Sequence, residues 1–299
     1  MINIQNFQTE KELSIVQFST NQKDTFDYIS VSTALKNKYI EIKELDEDGD
    51  VNNLIVTNKS RQYVFIMDGD ILEGAKQNRV LNTSVLLAPA SKTILPVSCV
   101  EQGRWSSISE KFYDADYVAP FEIRKQKAIS VKESLYAGEN FMADQSEVWE
   151  NVQGFSNLHH SYSPTSNLSD IYNEKKDTFD KFIKLFDPKK ECNGIAIFVR
   201  KNLITIDIFN KGEVYTEYFP KLLKGVALEA YHLKKSDNTI SQEEASNVIV
   251  NFFNKFDSIE KKEFDGVGVG IEERFETKEF TGFSLNYKSN LIHSAVLFI

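Results

Sequence analysis

The first hundred residues alternate short apolar runs with polar breaks. LSIVQF (13–18), YISVST (centred on 29–33), YIEIKEL (39–45), NLIVTN, QYVFIMDGD, SVLLA and TILPVSCV are rich in β-branched and aromatic residues. Asn, Asp, Gly and Ser clusters separate them, which is the pattern of strands and turns. A spacing of about ten residues predicts an antiparallel body, sandwich or barrel-like, rather than a doubly wound sheet.

The period then changes. Residues 122–153 read as partly helical, and GFSNLHHSYSPTSN (154–167) as a loop. Leu168, Ile171, Tyr172, Phe179, Phe182, Ile183 and Phe186 recur at helical spacing, up to the stop at Pro188. GIAIFVRK and LITIDIF meet at Lys201–Asn202 like the arms of a hairpin. A helix is predicted over 215–231. Another follows Ser241, which with Glu244 forms a capping box ahead of the apolar face Ala245, Val248, Ile249, Phe252, Phe253 and Phe256. Strands around VGVGIEERF, GFSLNY and LIHSAVLFI close the chain. The fold expected is α+β, a mostly antiparallel sheet with helices clustered in the second half. It is read as one continuous domain over 1–299, with a strand-rich part (1–105), a helical and loop insertion (106–190) and a mixed part (191–299).

Composition narrows the class. Apolar residues are 41% and charged residues 26% of 299, as in ordinary globular chains, so disorder and fibrous folds are excluded. The net charge of -9 argues against broad nucleic-acid binding. The N-terminus lacks a basic region followed by an apolar stretch, and no run approaches the roughly 18 apolar residues of a spanning helix. A soluble cytoplasmic protein without membrane association is expected. The two cysteines, Cys99 and Cys192, exclude a disulfide scaffold.

Candidate chemistry concentrates in residues 65–105. Glu73, Gln77, Asn78, Arg79, Glu101, Gln102 and Arg104 stand beside apolar runs, next to Gly74 and Gly103. Each such group, if buried without a partner, costs about 1–3 kcal/mol. One reading is an anion or nucleotide site: Arg79 and Arg104 fork onto phosphate oxygens, Gln77 and Asn78 read polar edges, and Glu73 or Glu101 contacts ribose hydroxyls or acts as a base. The other is an internal network pairing Arg79 with Glu101 and Arg104 with Glu73. Trp105 is assigned to the core by default. Cys99 is a candidate nucleophile only if a cation depresses its pKa; with Glu101 on its face of the strand, a buried inert thiol is the simpler reading.

Elsewhere, His159 and His160 read as a solvated loop pair without metal-ligand company, so no metal site is expected. His293 sits on a strand, as a core histidine or a rigidly held acid–base. Gly266, Gly268 and Gly270 read as a glycine-bearing strand, Asp207 as a lone strand acid, and Glu272, Glu273 and Arg274 as a solvated turn.

DGDILEGAKQNRVLN followed by LPVSCVEQGRW resembles the ADP-ribosylglycohydrolase-and-rhodanese-phosphatase-associated domain family, first type. The anchors are Glu-Gly-x-x-Gln-x-Arg (73–79) and Cys-x-Glu-x-x-Arg-Trp (99–105). GIAIFVRKNLITIDIF, ALEAY and LIHSAVLF extend the resemblance over nearly the whole chain. It implies involvement with ADP-ribose or related NAD-derived nucleotides and names no cofactor. Matched by position, it singles out Glu73, Gln77, Arg79, Cys99, Glu101, Arg104 and His293. The functional expectation is therefore a small phosphorylated nucleotide ligand, bound or processed by hydrolysis or transfer, with Glu101, Cys99 and His293 as the catalytic candidates. The alternative is a non-enzymatic interaction module.

Overall fold

A computed structural model describes residues 2–21, 25–46, 48–234 and 238–299. In chain order it contains β1 (Ile2–Glu10), β2 (Leu13–Thr20), β3 (Tyr28–Ser30), α1 (Val31–Lys36), β4 (Ile40–Glu44), β5 (Asn53–Asn58) and β6 (Tyr63–Ile66). Then come β7 (Asp70–Gly74), β8 (Arg79–Leu81), β9 (Val85–Leu87), β10 (Lys92–Cys99) and β11 (Phe112–Val118). Helices α2 (Phe121–Tyr136), α3 (Gln145–His159) and α4 (Leu168–Ile183) follow. The hairpin β12 (Gly194–Val199) and β13 (Asn202–Phe209) leads to α5 (Gly212–Ala230) and α6 (Gln242–Phe256). The chain closes with β14 (Lys262–Asp265), β15 (Ile271–Glu276), β16 (Phe280–Tyr287) and β17 (Asn290–Phe298). The α+β expectation holds.

One antiparallel sheet runs β1-β2-β12-β13-β17-β16-β15-β14, so the first strands pair with the middle of the chain and, through it, with the last. A second runs β11-β7-β8-β10-β5-β4 and curls until its two edges, β11 and β4, come within 8 Å between Cα atoms. A three-stranded sheet, β3-β6-β9, contains the parallel pair β3/β6.

The large sheet is apolar on both faces. In β2, Leu13 and Ile15 point into the core shared with the second sheet and α5, whereas Val16 and Phe18 pack beneath α6 with Ile249 and Phe256. Strand alternation then places apolar residues on successive positions, which is why LSIVQF and IAIF read as continuous runs. Ser241 and Glu244 form the capping box of α6.

Two sequence expectations fail locally. YISVST is a strand only over β3; Ser30 then accepts a hydrogen bond from the Thr33 amide and starts α1, a cap that outweighs the β preference of Val31 and Thr33. Residues 154–159 belong to α3, not to a loop, because α3 starts at its Asp144 cap and continues until His160 takes a left-handed backbone.

Candidate functional site

The two glycines of the anchor motifs serve close packing of the chain on itself. Gly74 has φ +128°, and a Cβ there would lie 2.6 Å from Ser109 Oγ and 2.7 Å from the Lys111 carbonyl. A Cβ on Gly103 would come within 2.9 Å of Thr165 Cα. These contacts seat the 101–111 loop over β7 and β8.

Arg104 locks that loop. Its Nε and Nη2 donate to the two carboxylate oxygens of Glu101 at 2.8 and 2.5 Å, and Nη1 donates to the carbonyls of Ala75 and Ser106. Glu101 also accepts from Thr165 and the Asn78 amide. Asn78 accepts from the Gly74 amide and donates to Asn167, which caps α4, and to Ser169. The internal pairing is thus Arg104 with Glu101, not with Glu73. Glu73 instead accepts from Tyr117, whose ring stacks on Tyr172. Gln102 is exposed, and its carbonyl accepts from Gln77.

Arg79 is held differently. It lies opposite Cys99 across β8 and β10 and is fully buried. Nη1 donates to Gln77 Oε1 at 3.2 Å. Nη2 lies 3.8 Å from Glu44 Oε2, an ion pair too long for a hydrogen bond. Among the described residues, Nε, Nη2 and Glu44 Oε2 have no hydrogen-bond partner. Such donors are costly unless something fills them. The Arg79 guanidinium carbon and the Lys76 ammonium lie 5.6 and 5.4 Å from the centre of the Trp105 ring. Trp105 is 46% exposed and so is not the core residue expected. Glu44 and Lys76 line a cleft of about 600 Å³ with Lys43, Asp46, Ser107 and Glu110.

Cys99 sits behind Arg79. Burial pushes its thiol up to about 11, outweighing the neighbouring guanidinium. Its Sγ faces the Val51 carbonyl at 3.7 Å.

His293 joins another cluster and shares no hydrogen-bond partner with Arg79, Glu101 or Arg104. Its Nδ1 meets Ser84 Oγ at 2.9 Å, and Nε2 lies 3.4 Å from Asp207. Asp207 receives Arg124 from α2, which also reaches Asp68, and Lys127 donates to Asp68. Burial works against the Asp207 carboxylate, but Arg124 and His293 overcome it and hold the carboxyl well below its usual range. Burial lowers the pKa values of His293 and Lys127. Glu272, paired with Arg274 and Thr83, is raised by burial. Glu272 and Arg274 are therefore buried members of β15, not a solvated turn, because their strand face points at α2. Similarly, Tyr218 and Lys221 of α5 bond Asp70, and Lys221 reaches Asp114.

Arg124 and Lys127 escaped the sequence reading because charges spaced three apart on a polar helix look solvent-facing. The acids in MDGD and ITIDIF were the available signal. His159 is likewise buried, with Nε2 at the Leu228 carbonyl, rather than a solvated partner of His160. The 266–270 glycines form the link between β14 and β15, not a strand. Gly268 (φ +81°) would place a Cβ 2.3 Å from the Leu86 carbonyl. Among the described residues, no group of three or more His, Cys, Asp or Glu is placed to hold a metal ion. None of their helices is long and apolar enough to cross a membrane.

The cleft thus carries mixed charge, two lysines and three acids, in an α+β body, with Trp105 and the buried Arg79 beside it. The chain belongs to the ARG and Rhodanese-Phosphatase-superfamily-associated Protein domain family, whose model matches residues 1–297. The family name records an association with ADP-ribosylglycohydrolase and rhodanese-phosphatase proteins, an ADP-ribose-related setting. No curated protein and no solved structure matches the chain.

Proposed function

We propose that the cleft lined by Glu44 and Lys76, beside the buried Arg79, binds a phosphorylated nucleotide derivative of the ADP-ribose type. The observation that carries this reading is the buried Arg79 guanidinium, whose Nε and Nη2 lack acceptors among the described residues while Arg104 nearby is fully engaged. The Arg79 side chain is sealed from solvent behind Glu44, so phosphate oxygens would reach those donors by displacing the Glu44 carboxylate, each charge-assisted bond contributing about 1.5–3 kcal/mol. Trp105 offers a half-exposed face for a base, and Glu44 and Asp46 offer acceptors for ribose hydroxyls. This mixture of cations, one aromatic face and acids suits a nucleotide better than a bare anion. Glu101, Arg104, Asn78 and Glu73 then act as scaffold, holding the loop that carries Trp105.

Titration calorimetry with ADP-ribose, NAD and simple nucleotides tests the reading. Saturable heat that disappears in Arg79→Met and persists in Gln102→Ala supports it. No heat with any of them rejects it and leaves the interaction-module reading, in which the same residues only fix the fold.

A further inference from the structure

The two edges of the curled sheet face each other across a second cleft, of about 420 Å³. Lys38 and Lys59 flank β4 and β5 on one wall, and Lys111 and Tyr113 stand on the β11 side. Glu41 supplies the only acid among the lining residues. Three ammonium groups converge on that one carboxylate: Lys111 and Lys59 bond it, the latter at 3.0 Å, and Lys43 lies 3.6 Å away. These bonds hold the Glu41 carboxyl down at about 2. One carboxylate leaves most of this charge uncompensated, in a chain whose net charge is -9. The Tyr113 ring, 63% exposed, forms part of the rim.

Lysine is a compact point charge that meets phosphate from any direction. Cations on both walls suit a ligand with phosphoryl groups at more than one position. We infer that this second cleft binds a chain of two or more phosphoryl groups, as in a nucleoside di- or triphosphate or a short inorganic polyphosphate. The site does not depend on Arg79: Lys43 and Glu41, paired along β4, separate it from the first cleft.

Calorimetry of the whole chain with sodium tripolyphosphate and, separately, ADP tests the inference. Tripolyphosphate should bind saturably and more weakly as salt rises. Its affinity should fall at least tenfold in Lys59→Gln/Lys111→Gln, rise in Glu41→Gln and stay unchanged in Arg79→Met. A Tyr113→Ala change that weakens ADP alone assigns a nucleotide, and one that weakens neither assigns the phosphate chain; both uphold the site. Absent heat overturns it. So does binding that survives the double lysine change or is lost in Arg79→Met, which would place the anion in the first cleft.

Discussion

Arg104 grips both carboxylate oxygens of Glu101, three residues earlier in the chain, at 2.8 and 2.5 Å. The pair is nearly sealed, with 11% and 3% of the two side chains exposed. Removing one partner strands a buried charge, which typically costs about 3–5 kcal/mol. Arg104→Ala should therefore lower unfolding free energy by that order in urea titrations, and Arg104→Lys should recover only part because the two-pronged geometry is lost. A loss within about 0.5 kcal/mol would show that the loop is held by its glycine contacts alone.

Cys99 should be chemically silent in the native protein. With its thiol pushed up to about 11, the thiolate fraction at neutral pH is negligible. Iodoacetamide at pH 7.5 should leave both cysteines unlabelled until denaturant is added, since burial also raises Cys192, to about 12. Rapid labelling of Cys99 in the folded chain would restore the nucleophile reading.

Glu229 supplies a pH signature. Burial pushes its carboxyl up to about 8 from an ordinary 4.5, against the hydrogen bond it accepts from the Glu122 amide. Between those values the native state keeps a proton that the unfolded chain has released. Its contribution is complete below pH 4.5 and is lost as pH rises towards 8. The slope from this group is at most about 1.4 kcal/mol per pH unit. Glu229→Gln should flatten the stability profile over that window in denaturant titrations at pH 5 and 8. An unchanged slope would remove the assignment.

Many strand positions were legible because β runs between polar breaks announce themselves, and Ser241–Glu244 marked its helix by mechanism, but the pairing order of the sheets was not. Segments whose backbone preference was overruled by a single cap, such as Ser30 before Val31 and Thr33, were not. The site was half legible. The anchor motifs located the loop that Arg104 and Glu101 hold together, but nothing in the sequence separates Arg79 from Arg104. Their difference depends on which arginine meets a carboxylate after folding, and Glu44, the acid paired with Arg79, lies thirty-five positions away. The charges clamped around Asp68 and Asp207 were illegible for the same reason: a buried salt bridge spanning α2 and β13 looks, residue by residue, like two solvated surfaces.

The most direct test uses Trp105 as reporter. The chain has two tryptophans, so Trp149→Phe leaves Trp105 alone beside the Arg79 recess. Titration with ADP-ribose should quench its fluorescence saturably, and Arg79→Met in that background should abolish the change while the melting temperature stays within a few degrees. Emission that does not respond to ADP-ribose in the folded Trp149→Phe protein, or that responds equally with Arg79 replaced, would contradict nucleotide binding at this recess.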